Sequence, residues 1–70
     1  MLMVPVASSN LLSVGYEPMT AEMRVEFRNG SIYSYSRVPS AVHAGLMSAG
    51  SHGEFFWDYV RDRYPYRRVA

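Results

Sequence analysis

The chain has no cysteine and no lysine among its 70 residues. The first absence excludes disulfides and thiolate metal sites, so stability has to come from packing or from association. A lone core of this size rarely supplies more than about 3 to 5 kcal/mol, which makes a homo-oligomer one expectation. The second absence means that all seven basic residues are arginine, a side chain suited to bidentate phosphate or carboxylate contacts and to stacking. Codon bias produces the same preference, so it names no ligand by itself. A large charge of one sign is also missing: the formal net charge is +1, too small for the molecule to act as a polycation. No apolar run approaches the roughly 20 residues of a membrane span, and Met1–Ala7 lacks the basic flank and length of a secretory leader. The expected setting is cytoplasmic, with no membrane partner.

The remaining composition, 49% apolar, 19% charged and 14% aromatic, is that of a folded chain. One domain over residues 1–70 is expected, with 1–7 flexible and 65–70 a basic tail. Charge is unevenly placed. Arg24, Arg28 and Arg37 are balanced by Glu17, Glu22 and Glu26, whereas Arg61, Arg63, Arg67 and Arg68 face Asp62 alone from Tyr59 onward.

Strand periodicity dominates the first half. Leu12, Val14 and Tyr16 alternate with Leu11, Ser13 and Gly15. Glu17-Pro18-Met19-Thr20 then suits a turn. Ala21, Met23, Val25 and Phe27 alternate with Glu22, Arg24, Glu26 and Arg28, the pattern of a half-buried antiparallel strand. Asn29-Gly30 is the hairpin signal of a type I′ turn, which returns Ser31–Arg37 as a third strand. A helix is predicted from Val38-Pro39-Ser40, with Val38, Val42, Leu46 and Ala49 on one stripe and Gly50 at its C-cap. Ser51-His52-Gly53-Glu54 has the form of a capping box for a second helix that carries Phe55, Phe56, Tyr59 and Val60 inward and stops before Pro65. The predicted fold is α+β: a three-stranded antiparallel β-meander with two short C-terminal helices on one face.

A two-residue Asn-Gly loop would set Phe27 opposite Ile32, Glu26 opposite Tyr33 and Arg24 opposite Tyr35. That register puts Leu12, Val14, Tyr16, Met23, Val25, Phe27 and Ile32 inward, and leaves Tyr33 and Tyr35 on the open sheet face beside Arg24. Exposed aromatics flanked by arginine can stack nucleobases. The same residues also serve as cross-strand pairs or as a protein contact, and all three readings stay open on this pattern.

Catalytic chemistry is poorly provided. His43 and His52 lie nine residues apart without metal-ligand spacing, and are expected to be an exposed helix position and a solvated group near the cap. There is no nucleophile elbow, phosphate loop or dinucleotide fingerprint. The chain reads as non-enzymatic, with no cofactor and no metal.

Ser8-Ser9-Asn10, Val14-Gly15-Tyr16-Glu17, Val25-Glu26-Phe27, Asn29-Gly30, Tyr33-Ser34-Tyr35, Val38-Pro39, Ala49-Gly50-Ser51-His52-Gly53 and Tyr64-Pro65-Tyr66-Arg67 together resemble the KTSC domain family. The resemblance runs from about Val6 to Val69. It implies a small domain found at the C-terminus of some lysyl-tRNA synthetases and as stand-alone bacterial and phage proteins. Its function is unknown, with RNA binding suggested by the synthetase linkage and by the central Tyr-x-Tyr. Trp57 departs from the family, which usually has a polar residue after the aromatic pair. It falls off the buried stripe, where it serves as a ligand platform or an interface anchor, or folds over the core edge, the arrangement preferred here.

The leading expectation is RNA or single-stranded nucleic-acid binding through Tyr33, Tyr35 and Arg24, with Arg61, Arg63, Arg67, Arg68 and Trp57. The alternative is an interaction module, a phage or prophage accessory factor docking on a host or phage protein, or a homodimer using the same face.

Overall fold

Period-two alternation builds the middle of the sheet where it was expected, and backbone pairing extends that sheet at both sides. The computed structural model describes all 70 residues. Its elements are β1 (Met3–Pro5), β2 (Leu11–Glu17), β3 (Glu22–Phe27), β4 (Ile32–Tyr35), α1 (Ser40–Ser48), α2 (His52–Tyr59) and β5 (Tyr66–Arg68). The strands form one antiparallel sheet in the order β1-β2-β3-β4-β5, so the three-stranded expectation is corrected to five. Strands of three residues are too short to show a period; they exist because β2 and β4 offer unpaired edges. The segment expected to be flexible pairs Met3 with Gly15 and Val4 with Val14. The basic tail pairs Tyr66 with Tyr35 and Arg67 with Ser34. Ile32 continues that ladder, donating its N–H to Ala70 and accepting one from Val69.

The hairpin between β3 and β4 departs from the predicted register by one residue. Phe27 N–H donates to Ser31 O at 2.9 Å and Gly30 N–H to Phe27 O at 2.9 Å, which closes a three-residue loop over Arg28, Asn29 and Gly30. Gly30 alone has positive φ there, +93°, whereas a type I′ turn would require it at Asn29 as well. Asn29 Oδ1 instead accepts from both the N–H and the hydroxyl of Ser31, at 3.0 and 2.7 Å. The added loop residue sets Val25 opposite Tyr33 and Met23 opposite Tyr35, with Arg24 opposite Ser34. A one-residue shift turns every side chain of a strand over. Tyr33 and Tyr35 therefore lie on the helix side of the sheet and Ile32 on the other, the reverse of the sequence expectation.

A second irregularity, a bulge between Leu11 and Ser13, buries Leu11 opposite Phe27 and turns Leu12 outward, again opposite to the alternation. Val14 and Tyr16 face inward as predicted.

Both helices pack on one sheet face. The core joins Leu11, Val14, Met23, Val25 and Tyr35 of the sheet to Val38, Leu46, Phe56 and Val60. Burying each aliphatic side chain contributes about 1.5 to 3 kcal/mol. α1 ends at Ala49 in extended backbone rather than at a left-handed Gly50. His52 Nδ1 lies 2.8 Å from the Leu46 carbonyl oxygen, tying the end of α1 to the start of α2, so this imidazole is not the solvated group expected. Ser51 caps α2 by accepting from Glu54 N–H at 3.2 Å. Phe56 and Val60 are buried as predicted, whereas Tyr59 turns out to solvent. Phe55 packs against α1 at Gly45, where an added Cβ would lie 2.6 Å from its ring. No helix is long and apolar enough to cross a membrane.

Candidate functional site

The flip of β4 carries Tyr33 and Tyr35 into a cleft that the opposite sheet face lacks. The cleft has a volume of about 590 Å³ and lies between α2 and the β3–β4–β5 side of the sheet. Its floor is aromatic: Phe27, Tyr33, Tyr35, Phe56 and Tyr66. Phe27 meets Tyr33 and Phe56 edge-on at 5.8 and 5.4 Å, and Tyr66 lies 5.7 Å from both Tyr33 and Tyr35. These are the separations aromatic pairs prefer. The rings thus support one another, and the floor is rigid because each belongs to a strand or a helix.

One wall is Trp57, which is 61% exposed. It does not fold over the core edge as preferred from the sequence. The Arg61 guanidinium sits over the indole, 3.8 Å from the ring centroid. Residues four apart on a helical turn are neighbours, and a cation over an indole face is the favourable pairing for that spacing. Asp62 follows in left-handed backbone, φ +61°, a conformation aspartate tolerates. The other wall is the hairpin loop, Arg28 and Asn29, together with Ser9 and Asn10. Arg28 Nε donates to Ser8 O at 2.7 Å, and Ser8 Oγ accepts from the N–H groups of Asn10 and Leu11, each at 3.2 Å. These bonds fasten the β1–β2 loop to the hairpin and hold the rim in place.

Tyr35 is 4% exposed. Burial pushes its phenol up to about 12, so it stays a neutral hydroxyl at physiological pH. The Tyr16 hydroxyl donates to Val38 O within the fold at 2.6 Å; that of Tyr35, a residue lining the cleft, has no protein partner.

The structure therefore unites four of the sequence-predicted residues, Tyr33, Tyr35, Trp57 and Arg61, and separates the rest. Arg24 is on the opposite face, 2.9 Å from Glu22. Arg67 shares that face through its pairing with Ser34. Arg63 is in the turn after α2, and Arg68 Nε is bonded to Ala70 O. Arg28, Asn29, Phe27 and Tyr66 were missed as site residues. The hairpin signal at Asn29-Gly30 marked where two of them sit, but not that the loop overhangs a helix.

The open face has little left to offer a ligand. Ser13 donates to Glu26 at 2.8 Å, and Ser34 and Arg24 both donate to Glu22, at 2.6 and 2.9 Å. The Ser34 hydroxyl, and then Arg24, hold the Glu22 carboxyl below the usual carboxylate range. Met1 and Met3 cover Gly15 so closely that a Cβ there would lie 2.8 and 2.6 Å from them. His43, expected to be exposed, is half-buried and stacks on Tyr16 at 4.6 Å; burial lowers its pKa.

The pattern described as the KTSC domain matches residues 7–64. A crystal structure of a KTSC domain protein from Yersinia pestis superposes with a TM-score of 0.96 at 35% identity, covering 99% of this chain and 97% of that one. An uncharacterized protein of Stutzerimonas stutzeri is 37% identical over 67 residues, 94% of each chain. A lysine–tRNA ligase of a Nostoc species is 36% identical over 55 residues, 79% of this chain, and the match spans only 10% of the ligase.

Proposed function

Since the chain belongs to the KTSC domain family, a small domain of unknown function, we propose that it is a non-catalytic binding domain for single-stranded nucleic acid, RNA foremost, and that the cleft is the binding surface. One observation carries this reading: an exposed indole with a guanidinium stacked on it stands beside a rigid floor of five aromatic rings. Every nucleobase has a π-face, and stacking one on an aromatic side chain contributes about 1 to 3 kcal/mol. Arg28 and Arg61 at the rim supply phosphate contacts, and the partnerless Tyr35 hydroxyl offers a hydrogen bond to a base edge or a ribose. The relationship to a segment of a lysine–tRNA ligase favours RNA among the nucleic acids.

The test is fluorescence anisotropy of labelled tRNA and of short single-stranded RNA and DNA across a salt series. Arg61→Ala is expected to weaken binding and flatten its salt dependence by the contribution of one phosphate, about 0.7 in the logarithmic slope. Arg24→Ala, on the opposite face, is expected to leave binding unchanged. Absence of binding to all three probes at low salt would end this reading, and the reverse pattern of the two variants would move the site to the open face.

A second reading, a protein contact, is favoured at a different place. Leu2 and Val4, 82% and 41% exposed, line a shallow apolar depression beside α1 with Ala41 and Ala44. Concentration-dependent association in sedimentation velocity that is lost in Leu2→Ser would support it.

A further inference from the structure

We infer that the cleft holds a single extruded nucleotide, one base with the two phosphates that flank it, and does not track a strand. This deepens the proposed nucleic-acid reading and rests on it. The first ground is size. A volume of about 590 Å³ lies inside the roughly 300 to 1,000 Å³ range of small-ligand sites. A strand-tracking protein instead presents an extended groove with aromatic platforms at successive positions. Here the rings converge: Tyr33, Tyr35, Tyr66, Phe27 and Phe56 contact one another as one floor, and of the two exposed aromatics lining the cleft, Tyr66 (55%) belongs to that floor in contact with Tyr33 and Tyr35, whereas Trp57 (61%) stands apart from it on α2. That geometry provides one slot.

The second ground is charge. Of the seven arginines, the cleft is lined by Arg28 and Arg61. Arg28 spends its Nε on Ser8 O, which fixes the guanidinium while leaving its terminal nitrogens for an anion. Arg61 is held against Trp57 and has Asp62 beside it, with 4.0 Å between the charged atoms. Beyond the cleft the surface interrupts any basic path. Glu54 and Asp58 lie on α2 next to Trp57, lining the neighbouring polar depression. On the opposite face Glu22 takes Arg24 as its partner. A backbone leaving the cleft past Trp57 meets those carboxylates, and on the β5 side it meets one further arginine, Arg68 opposite Tyr33, whose Nε is already bonded to Ala70 O.

The third ground is the polar equipment of the cleft. Tyr35 is 4% exposed and lines the cleft, and its hydroxyl has no protein partner and is not sealed from solvent. Asn29 commits its carbonyl to Ser31 and keeps its amide N–H groups for a ligand. A hydroxyl and a carboxamide about one small site read a base edge, whereas a sequence-tolerant track relies on stacking and charge.

The experiment is a length series in adenosine and in uridine: monophosphate, dinucleotide and ten-mer RNA, titrated into the intact protein by isothermal calorimetry at several salt concentrations. The expected result is that affinity stops rising at the dinucleotide, apart from the statistical gain from the registers a ten-mer offers. The salt slope is expected near −1.4, the value for two phosphates on a single strand. Affinity that climbs more than tenfold beyond the statistical gain between dinucleotide and ten-mer, or a slope steeper than about −3, would overturn the single-nucleotide inference and leave nucleic-acid binding standing. No heat and no anisotropy change with any length at low salt would overturn both.

Discussion

Replacing Trp57 with alanine separates a ligand platform from a structural side chain, because the two roles predict opposite pairs of measurements. The indole is 61% exposed and its main partner is the Arg61 guanidinium, 3.8 Å from the ring centroid. An exposed cation–π contact contributes about 0.5 to 1 kcal/mol. Alanine in α2 returns about 0.5 kcal/mol through its higher helix propensity. The two terms nearly cancel, so stability should change by no more than about 0.5 kcal/mol, a shift of at most about 4 °C in the melting temperature of a domain this small. Binding should respond far more. Loss of one stacked base removes about 1 to 3 kcal/mol, which is about a 5- to 150-fold weakening of the dissociation constant for a short RNA. Thermal melting by circular dichroism gives the first quantity and anisotropy the second. A Trp57→Ala protein that melts more than 10 °C lower would make the residue structural, and a folded variant with unchanged affinity would remove the indole from the site.

Ala21 occupies left-handed backbone at φ +59° in the turn before β3. That geometry costs a residue with a Cβ about 1 to 2 kcal/mol, partly offset in glycine by its greater chain entropy, so Ala21→Gly should stabilise by about 0.5 to 1 kcal/mol in a urea melt. A neutral or destabilised variant would contradict the strain argument. Glu22 titrates below its ordinary 4.5 because Ser34, and then Arg24, bond to its charged form. The stability this adds is complete above about pH 4.5 and is lost as pH falls through the lowered folded value. Ser34→Ala should therefore cost about 1 kcal/mol at pH 7 and progressively less toward pH 3; a cost independent of pH would assign the effect to packing alone.

How far the site could be read in advance turns on one loop. Asn29-Gly30 announces a hairpin, but the same dipeptide fits a two-residue I′ turn or a three-residue loop with glycine in left-handed backbone. The two differ by one residue, and one residue decides which face of the sheet carries Tyr33 and Tyr35. A signal for the correct face was present within β4 itself: tyrosines at 33 and 35 alternate with serines at 34 and 36, so the more apolar set already pointed to the core. Two-residue turn parity and that alternation point to opposite faces, and the fold follows the alternation. Leu11 and Leu12 offered no such signal, since two adjacent leucines satisfy either register and the bulge alone chooses between them.

Local pattern by itself determined the alternating strands β2 and β3, the hairpin after Phe27, the Ser51 cap and the buried stripe of Phe56 and Val60, because each depends on side chains only a few residues apart. Tertiary structure alone decided the rest. β1 and β5 exist through hydrogen bonds to β2 and β4, and no three-residue segment encodes a partner it has not met. The cleft arises because Asn10, Asn29, Tyr33, Trp57, Arg61 and Tyr66, spread over most of the chain, are brought together where α2 leaves part of the sheet uncovered. That convergence is a property of packing, and packing depends on register, which a single inserted loop residue sets for the whole strand.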